Sequence, residues 1–175
     1  PEEHKFKYPK AGEDNSFVDI LIFDTDINKT YKLDVGSQND QYIPRFYWIP
    51  STNKLLVMRM NRHQSKMELI QFDYPQLTQK TIYTEENTYW IDVPELFLTS
   101  DGKEIILSSE VDGYNHIYMV EISSGTKKQI TKGEWEIEHI QGFDEISKKI
   151  YFTAFMESSI ETVLASVTTD GKIEK

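Results

Sequence analysis

The chain has 175 residues, of which 13% are aromatic and none is cysteine. Its 29 acidic residues outnumber its 19 basic ones and give a net charge of -10; the basic residues are scattered, which argues against a nucleic-acid-binding protein. Without cysteine the chain has no disulfide, no cysteine-bound zinc and no thiol nucleophile.

The first ten residues, PEEHKFKYPK, contain neither Met nor an apolar stretch of the kind found in signal peptides. We therefore expect the chain to be a fragment of a longer protein. No run of about eighteen apolar residues occurs, which predicts that the chain does not span a membrane.

The first strand pattern along the chain is VDILIFDTDINKTYKLDV, which starts at Val18. Val18, Ile20 and Ile22 recur at every second position, which is the period of a strand with one buried face. The segment is similar to the second half of each longer unit that follows it, so we interpret it as part of the same repeat.

Three longer units follow, and in each of them a Lys comes six positions after an aromatic residue. These anchors begin at Trp48, Phe97 and Phe143, so they recur at spacings of 49 and 46 residues. Each anchor leads into an apolar strand pattern, and further strand patterns follow after short turns. The apolar strand patterns are LLVMRMN, EIILSSEV and IYFTAFM.

The turns within the units are rich in Gly and Asn, which accept the positive φ of tight hairpins. Each unit is therefore predicted to be four short antiparallel strands. The turns are Asn53-Lys54, Asp101-Gly102, Ser124-Gly125 and Asp170-Gly171.

A four-stranded unit that repeats about every forty to fifty residues is typical of a β-propeller blade. We predict an all-β fold, a β-propeller fragment of about three and a half four-stranded antiparallel blades. The innermost strands are predicted to be RFYWIP, ELFLTS and EHIQGFD. The predicted boundaries are 1–36 for an incomplete blade, 37–86 and 87–133 for two blades, and 134–175 for a blade that lacks its last strand.

Aromatic residues stand at the same phase ahead of each innermost strand, namely Tyr42, Tyr89-Trp90 and Trp135. We predict that a large ring at this phase packs between neighbouring blades. The GYNH turn, which ends at His116, has two interpretations. We favour a hairpin loop with its ring folded back on the blade over a ligand contact.

Motifs for catalysis and for cofactor binding are missing, including G-x-S-x-G, the P-loop and G-x-G-x-x-G. The pair Glu85-Glu86 has two interpretations, capture of an ammonium group or a solvated turn between blades, and we favour the turn. Because these motifs are missing, we predict no catalytic residue and no cofactor, and because the four histidines are isolated, we predict no metal. They are His4, His63, His116 and His139.

Four segments together resemble the propeller domain of the dipeptidyl peptidase IV family, a branch of the prolyl oligopeptidases. They occur in the family's order, and the resemblance covers nearly the whole chain. The absence of cysteine and the abundance of Lys, Ile and Asn resemble the version found in Bacteroides-type bacteria. The four segments are YPKAGEDN, YIPRFYW, EVDGYNHIY and QITKGEWEI.

The resemblance implies an eight-bladed propeller that caps an α/β-hydrolase domain, in which Ser, His and Asp release X-Pro or X-Ala dipeptides from peptide N-termini. This chain would hold middle-to-late blades only, without the hydrolase domain, and would be inactive alone. The implied partners are the peptide substrate, the hydrolase domain of the same protein and a second copy in a homodimer. The implied location is the bacterial periplasm or the outside of the cell.

The resemblance also implies roles for two groups of residues. Tyr89, Trp90, Asp92 and Glu95 are expected to line the substrate cavity, although the Arg that some family members carry in this region is missing. The hairpin after the YPKAG segment is expected to form the homodimer contact. Its apolar residues are Ile20, Ile22, Phe23, Ile27 and Tyr31.

Two alternatives from other classes remain open. The first is a non-enzymatic periplasmic β-propeller that binds or scaffolds other molecules, because a fold does not choose a function. The second is a carbohydrate-binding β-sandwich with exposed aromatic residues. We rank the sandwich last because it does not account for the spacings of 49 and 46 residues.

Overall fold

A computed structural model of the protein describes residues 3, 10, 12–36 and 40–175. Tyr8, Pro9 and Ala11 of the YPKAGEDN segment therefore lie outside the described residues, as does His4. The described stretches form one two-stranded and three four-stranded antiparallel sheets. They contain no helix that could cross a membrane.

The first two sheets follow the chain order of their strands. The first sheet is a hairpin of β1 (Leu21–Asp24) and β2 (Lys29–Lys32). The second sheet has the order β3-β4-β5-β6. Its strands are β3 (Gln41–Ile49), β4 (Lys54–Asn61), β5 (Lys66–Asp73) and β6 (Thr78–Glu86).

The third and fourth sheets have the same up-and-down topology. The third sheet consists of β7 (Leu96–Leu98), β8 (Glu104–Ser109), β9 (His116–Glu121) and β10 (Lys127–Gln129). The fourth sheet consists of β11 (Glu136–Asp144), β12 (Lys149–Phe155), β13 (Val163–Thr168) and β14 (Ile173–Glu174).

Apolar residues are buried on both faces of the central strands. In β4, Leu55 and Val57 pack against the β1–β2 hairpin, whereas Leu56 and Met58 pack against the third sheet. Because a neighbouring sheet covers each face, β4 is a continuous apolar run rather than an alternating one. The sheets are therefore stacked face to face, and in the part of the chain that the structure describes they do not close into a ring. The successive antiparallel sheets confirm the predicted all-β propeller fold.

Two details of the repeat differ from the sequence prediction. The sequence predicts no last strand in the unit that begins at residue 134, but β14 pairs two residues with β13, which the short Asp170-Gly171 turn allows. The sequence also predicts positive φ at Asn53. The structure places it at Ser51, with φ 57°, because four residues rather than two connect β3 to β4.

Hydrogen bonds at repeated positions join each four-stranded sheet to the next. The Lys80 ammonium on β6 donates to the Ser123 carbonyl at 2.7 Å, and the Lys128 ammonium on β10 donates to the Thr169 carbonyl at 2.8 Å. Each lysine lies on the last strand of one sheet and reaches a turn of the following sheet. The polar last strands of the sequence repeat thus connect neighbouring sheets.

The segments between the four-stranded sheets share a second repeated contact. The Gln64 amide donates to the Ile91 carbonyl at 3.1 Å, and the Asn115 amide donates to the Ile137 carbonyl at 2.9 Å. Trp135 then packs between sheets, edge-on against His116 at 4.9 Å and stacked on Phe152 at 6.1 Å. Of the aromatic residues at this phase, Tyr42, Tyr89 and Trp90 are instead exposed.

Glycine is required where a turn of one sheet touches the backbone of the sheet before it. Gly125 has φ 75°, and a Cβ at this position would lie 2.5 Å from the Ile82 carbonyl oxygen. Gly102, with φ 67°, would place a Cβ against the Pro50 carbonyl oxygen. Gly113, with φ 102°, has no heavy atom within 4 Å of such a Cβ apart from those of its two neighbours in the chain.

Gly125→Ala should therefore destabilise the protein more than Gly113→Ala does. Both substitutions place a side chain at positive φ, which costs about 1–2 kcal/mol. Gly125→Ala also forces the turn away from β6, which we expect to add about 1–3 kcal/mol. Urea denaturation of the two variants measures the difference, and equal losses would show that the turn makes no essential contact with the neighbouring sheet.

Candidate functional site

A cavity of about 280 Å³ opens between the second and third sheets and reaches β11. Glu85 is the next-to-last residue of β6, Ser109 ends β8, and Glu95 immediately precedes β7. These positions lie at one end of the strands, because the strands alternate in direction. The acidic residues that line the cavity are Glu85, Asp92, Glu95, Glu110 and Glu138.

Three of the four residues expected in a substrate cavity line this one. Trp90 donates from its indole nitrogen to the Asp92 carboxylate at 2.9 Å, so the two side chains orient each other at the cavity edge. Glu95 lies deeper and is half-buried. Tyr89 does not line the cavity, and 78% of its side chain is exposed.

Glu95 joins the third sheet to the fourth. One carboxylate oxygen lies 2.9 Å from Nδ1 of His139, and the other accepts the backbone N–H of Ile140 at 2.5 Å. Both partners lie on β11, whereas Glu95 immediately precedes β7. The carboxylate therefore fixes the relative position of two sheets as well as lining the cavity.

Glu85 is buried, with 6% of its surface exposed. Its Oε2 accepts hydrogen bonds from the hydroxyls of Tyr83 and Ser109, each at 2.7 Å. The sequence interpretation of Glu85-Glu86 as a solvated turn therefore holds for Glu86, which is exposed and pairs with Lys66 at 3.1 Å. It is wrong for Glu85, because alternation along β6 places Glu85 on the same face as Tyr83, toward the third sheet.

The hydroxyl of Tyr83 links Glu85 to a lysine. Burial and the Glu85 carboxylate raise the pKa of Tyr83, so its hydroxyl stays protonated and donates to Glu85. Lys127 donates its ammonium to the Tyr83 oxygen at 3.3 Å and lies 5.0 Å from the centre of the Tyr118 ring. The carboxylate is thus held through neutral hydroxyls rather than by direct contact with a cation.

The acidic residues of the cavity interact with one another. Partial burial, followed by the charges of Asp92, Glu136 and Glu85, raises the pKa of Glu110. Burial alone disfavours the ionised form, and the three neighbouring carboxylates add repulsion from nearby negative charge. The cavity is therefore a region of negative electrostatic potential.

The GYNH turn contributes structural contacts. His116 is fully buried, with Nδ1 3.1 Å from the Thr131 hydroxyl and Nε2 3.0 Å from the Gly133 carbonyl oxygen. The ring of Tyr114 lies 6.5 Å from that of His116, as expected for a ring folded back on its blade. Among the described residues, no three His, Cys, Asp or Glu side chains are grouped so that they could hold a metal ion.

The β1–β2 hairpin divides the residues expected at a dimer contact between its two faces. Ile20 and Ile22 are buried against the second sheet, and Tyr31 is half-buried, edge-on to Tyr74 at 5.6 Å. Phe23 and Ile27 are exposed. Leu21 and Phe17, which the sequence prediction did not include, are also exposed.

Glu110→Gln should raise the free energy of unfolding at neutral pH. The folded state raises the Glu110 pKa above its ordinary value of 4.5, so ionisation of this carboxyl opposes folding. The protonated Glu110 carboxyl contributes its full stabilisation below the unfolded-state pKa. This stabilisation is lost as the pH rises through the higher folded-state pKa. Because the side chain is exposed, we expect a gain below about 1 kcal/mol.

Urea denaturation of the wild-type protein and of the Glu110→Gln variant, from acidic to neutral pH, measures this effect. The advantage of Glu110→Gln should be absent at acidic pH and should grow as the carboxyl ionises. Glu161→Gln is the control, because Glu161 is exposed and does not line the cavity. A difference that is independent of pH would contradict the electrostatic explanation.

Comparison with known proteins places the chain in a family. The family model described as "Dipeptidyl peptidase IV (DPP IV) N-terminal region" matches residues 1–175. "Dipeptidyl peptidase 4" of Trichophyton rubrum is 28% identical over 183 aligned residues, covering 99% of this chain and 23% of that protein. "Probable dipeptidyl-aminopeptidase B" of Fusarium vanettenii is also 28% identical, covering 98% of this chain and 20% of that protein.

The fold similarity has the same extent. The crystal structure of Porphyromonas gingivalis dipeptidyl peptidase 4 matches with a TM-score of 0.89 and 28% identity, covering 97% of this chain and 24% of that chain. The chain therefore spans about a fifth to a quarter of the length of these relatives. With the family model matched from residue 1 to residue 175, the chain belongs to the family of dipeptidyl peptidase IV N-terminal regions.

Proposed function

We propose that this chain is the non-catalytic propeller portion of a serine dipeptidyl peptidase, which releases X-Pro or X-Ala dipeptides from peptide N-termini. The observation that carries the proposal is the family match over all 175 residues. The full protein would cleave the peptide with the Ser, His and Asp of a hydrolase domain. It would work in the bacterial periplasm or outside the cell.

The propeller portion would shape the access of peptides to the hydrolase domain. The acidic cavity supports this role, because its negative potential raises the local concentration of positively charged peptides. Trp90 and Asp92 hold each other at its edge, and Glu95 fixes the position of β11 beside it. These contacts give the cavity a defined shape before a peptide arrives.

The full-length protein should hydrolyse Gly-Pro-p-nitroanilide, and the 175-residue chain alone should not. Release of p-nitroaniline, followed by absorbance, measures both activities. Turnover by the short chain would contradict the assignment of a non-catalytic role. A full-length protein that cleaves none of the Gly-Pro and Gly-Ala substrates would favour a non-enzymatic propeller that binds or scaffolds other molecules.

We also propose that the β1–β2 hairpin contributes to a homodimer contact. Its outward face carries large apolar side chains, with Leu21 60%, Phe23 56% and Ile27 59% exposed. Exposed apolar residues that are grouped on one surface are typical of protein interfaces. Ile20 and Ile22 would hold the hairpin against its own propeller, since both are buried against the second sheet.

Phe23→Glu should convert a dimer of the full-length protein to monomer, because it places a charge in an apolar contact. Size-exclusion chromatography with light scattering measures the mass. Ile146→Glu is the matched control, since Ile146 is 98% exposed on the β11–β12 turn and should leave the dimer intact. A dimer that survives both Phe23→Glu and Leu21→Glu would place the contact elsewhere.

A further inference from the structure

The Glu85 carboxylate faces the cavity without a neighbouring cation. It is 94% buried, since only 6% of its surface is exposed. Its Oε2 accepts the Tyr83 and Ser109 hydroxyls, whereas Oε1 accepts no hydrogen bond from the residues that the structure describes. In the same part of the chain, no Lys, Arg or His nitrogen lies within 4.0 Å of either oxygen.

A buried carboxylate in this position has no counter-charge of its own. Removal of a charge from water costs several kcal/mol unless a counter-charge and hydrogen bonds replace the lost water. The two neutral hydroxyls that donate to Oε2 replace only part of the lost hydration of the carboxylate. Lys127 donates its ammonium to the Tyr83 hydroxyl and forms no ion pair with the Glu85 carboxylate. A cation that entered the cavity would supply the missing partner.

Further carboxylates surround the approach to Glu85. Asp92, Glu110 and Glu138 line the same cavity and add negative charge around its opening. The charges of Asp92 and Glu85 both raise the pKa of Glu110, which places the three carboxylates within electrostatic reach of one another. The cavity therefore selects for positive charge at its opening and provides one buried ion-pair partner inside.

The rest of the cavity lining is partly apolar and also includes the polar residues Asn87, Ser108, Ser109, Asn115 and His139. Met67, Ile91, Val93 and Pro94 line it, and Trp90 stands at its edge. Lys and Arg side chains combine an apolar stem with a charged head, so they match a cavity with apolar walls and a buried acid. An indole face also attracts ammonium and guanidinium groups. A volume of about 280 Å³ admits one long side chain.

We propose that this cavity binds the basic side chain of a peptide, with Glu85 pairing with its guanidinium or ammonium head and the apolar walls covering its stem. This inference rests on the proposed function, because a peptidase is what brings a peptide to the cavity. It assigns the cavity a preference for positive charge that is separate from cleavage at Pro or Ala.

Isothermal titration calorimetry of the full-length protein with small probes tests the proposal. N-acetyl-arginine amide carries the guanidinium and has no free amino group. N-acetyl-citrulline amide has nearly the same shape without the charge. We expect the arginine probe to bind at least about tenfold more tightly. Alanine amide, which offers only a free amino group, should bind as weakly as the citrulline probe.

Glu85→Gln should abolish the preference for arginine over citrulline. Gln keeps the size of the side chain and an acceptor for the Tyr83 and Ser109 hydroxyls, but it removes the charge. Circular dichroism and thermal unfolding check that the variant folds. If it does not, the double variant Asp92→Asn, Glu110→Gln takes its place and should reduce the preference at least about threefold. Glu161→Gln should leave the preference unchanged.

Equal binding of the arginine and citrulline probes would overturn the proposal, and so would an arginine preference that survives Glu85→Gln. Alanine amide binding as tightly as the arginine probe would show that the cavity takes an amino terminus instead. Hydrolysis of Gly-Pro-p-nitroanilide by the same preparations keeps the two proposals apart. If the protein cleaves the substrate but does not prefer arginine, only the proposed binding of a basic side chain is wrong. If it prefers arginine but does not cleave the substrate, only the proposed peptidase activity is wrong.

Discussion

Face-to-face stacking of the sheets is the constraint on which the rest of the structure depends. In β4, the consecutive residues Leu56, Val57 and Met58 are all fully buried, because a sheet covers each face. Each such side chain contributes roughly 1.5–3 kcal/mol on burial. An exposed ion pair such as Lys66–Glu86 contributes about 0–1 kcal/mol. The apolar contacts between sheets therefore determine stability, and the polar contacts at their ends determine shape.

The candidate site lies where the apolar contact between the second and third sheets ends. Met67 is the first apolar residue on β5, and its partner on β6 is Glu85. A carboxylate at this position must be hydrogen-bonded, and Tyr83 and Ser109, from two different sheets, provide the hydroxyls. Glu95 joins the next pair of sheets in a similar way, through His139 and Ile140. The two carboxylates thus hold the walls of the cavity on either side.

The repeat in the sequence predicts most of the fold, because strand length, turn glycines and apolar runs are local properties. It does not predict which residues of a strand face a neighbour. In the hairpin, Ile20 and Ile22 alternate with Leu21 and Phe23, so both faces are apolar and the pattern cannot choose between them. Contact with Leu55 and Val57, more than thirty residues away in sequence, makes the isoleucine face the buried one.

The position of Glu85 illustrates the same limit for the site. Alternation from Tyr83 places both side chains on one face of β6, but only the tertiary structure brings Ser109 to that face. The resemblance predicts a substrate cavity lined by Tyr89, Trp90, Asp92 and Glu95, and three of these four residues line the acidic cavity. A single sequence does not indicate that Glu110 or Glu138 lines the cavity, because their proximity to it depends on how the sheets stack.

The cavity lies where the repeat departs from its own pattern. The Gln64 and Asn115 amides make equivalent contacts at two successive junctions, so the residues that follow them can be compared. After Asn115 comes His116, whose buried ring packs against Trp135 and fills the junction. After Gln64 comes Ser65, whose small side chain has no aromatic ring that could fill the earlier junction.

The aromatic residues of that earlier junction are accordingly exposed, and an acidic cavity occupies the space beside them. Local breaks in a consistent pattern are expected at functional sites, since the chain gives up packing there to keep a surface accessible. The replacement of a buried His by Ser at one junction is therefore an independent reason to assign function to the cavity. It is a difference in packing between two copies of the same unit, and it does not depend on the charges that line the cavity.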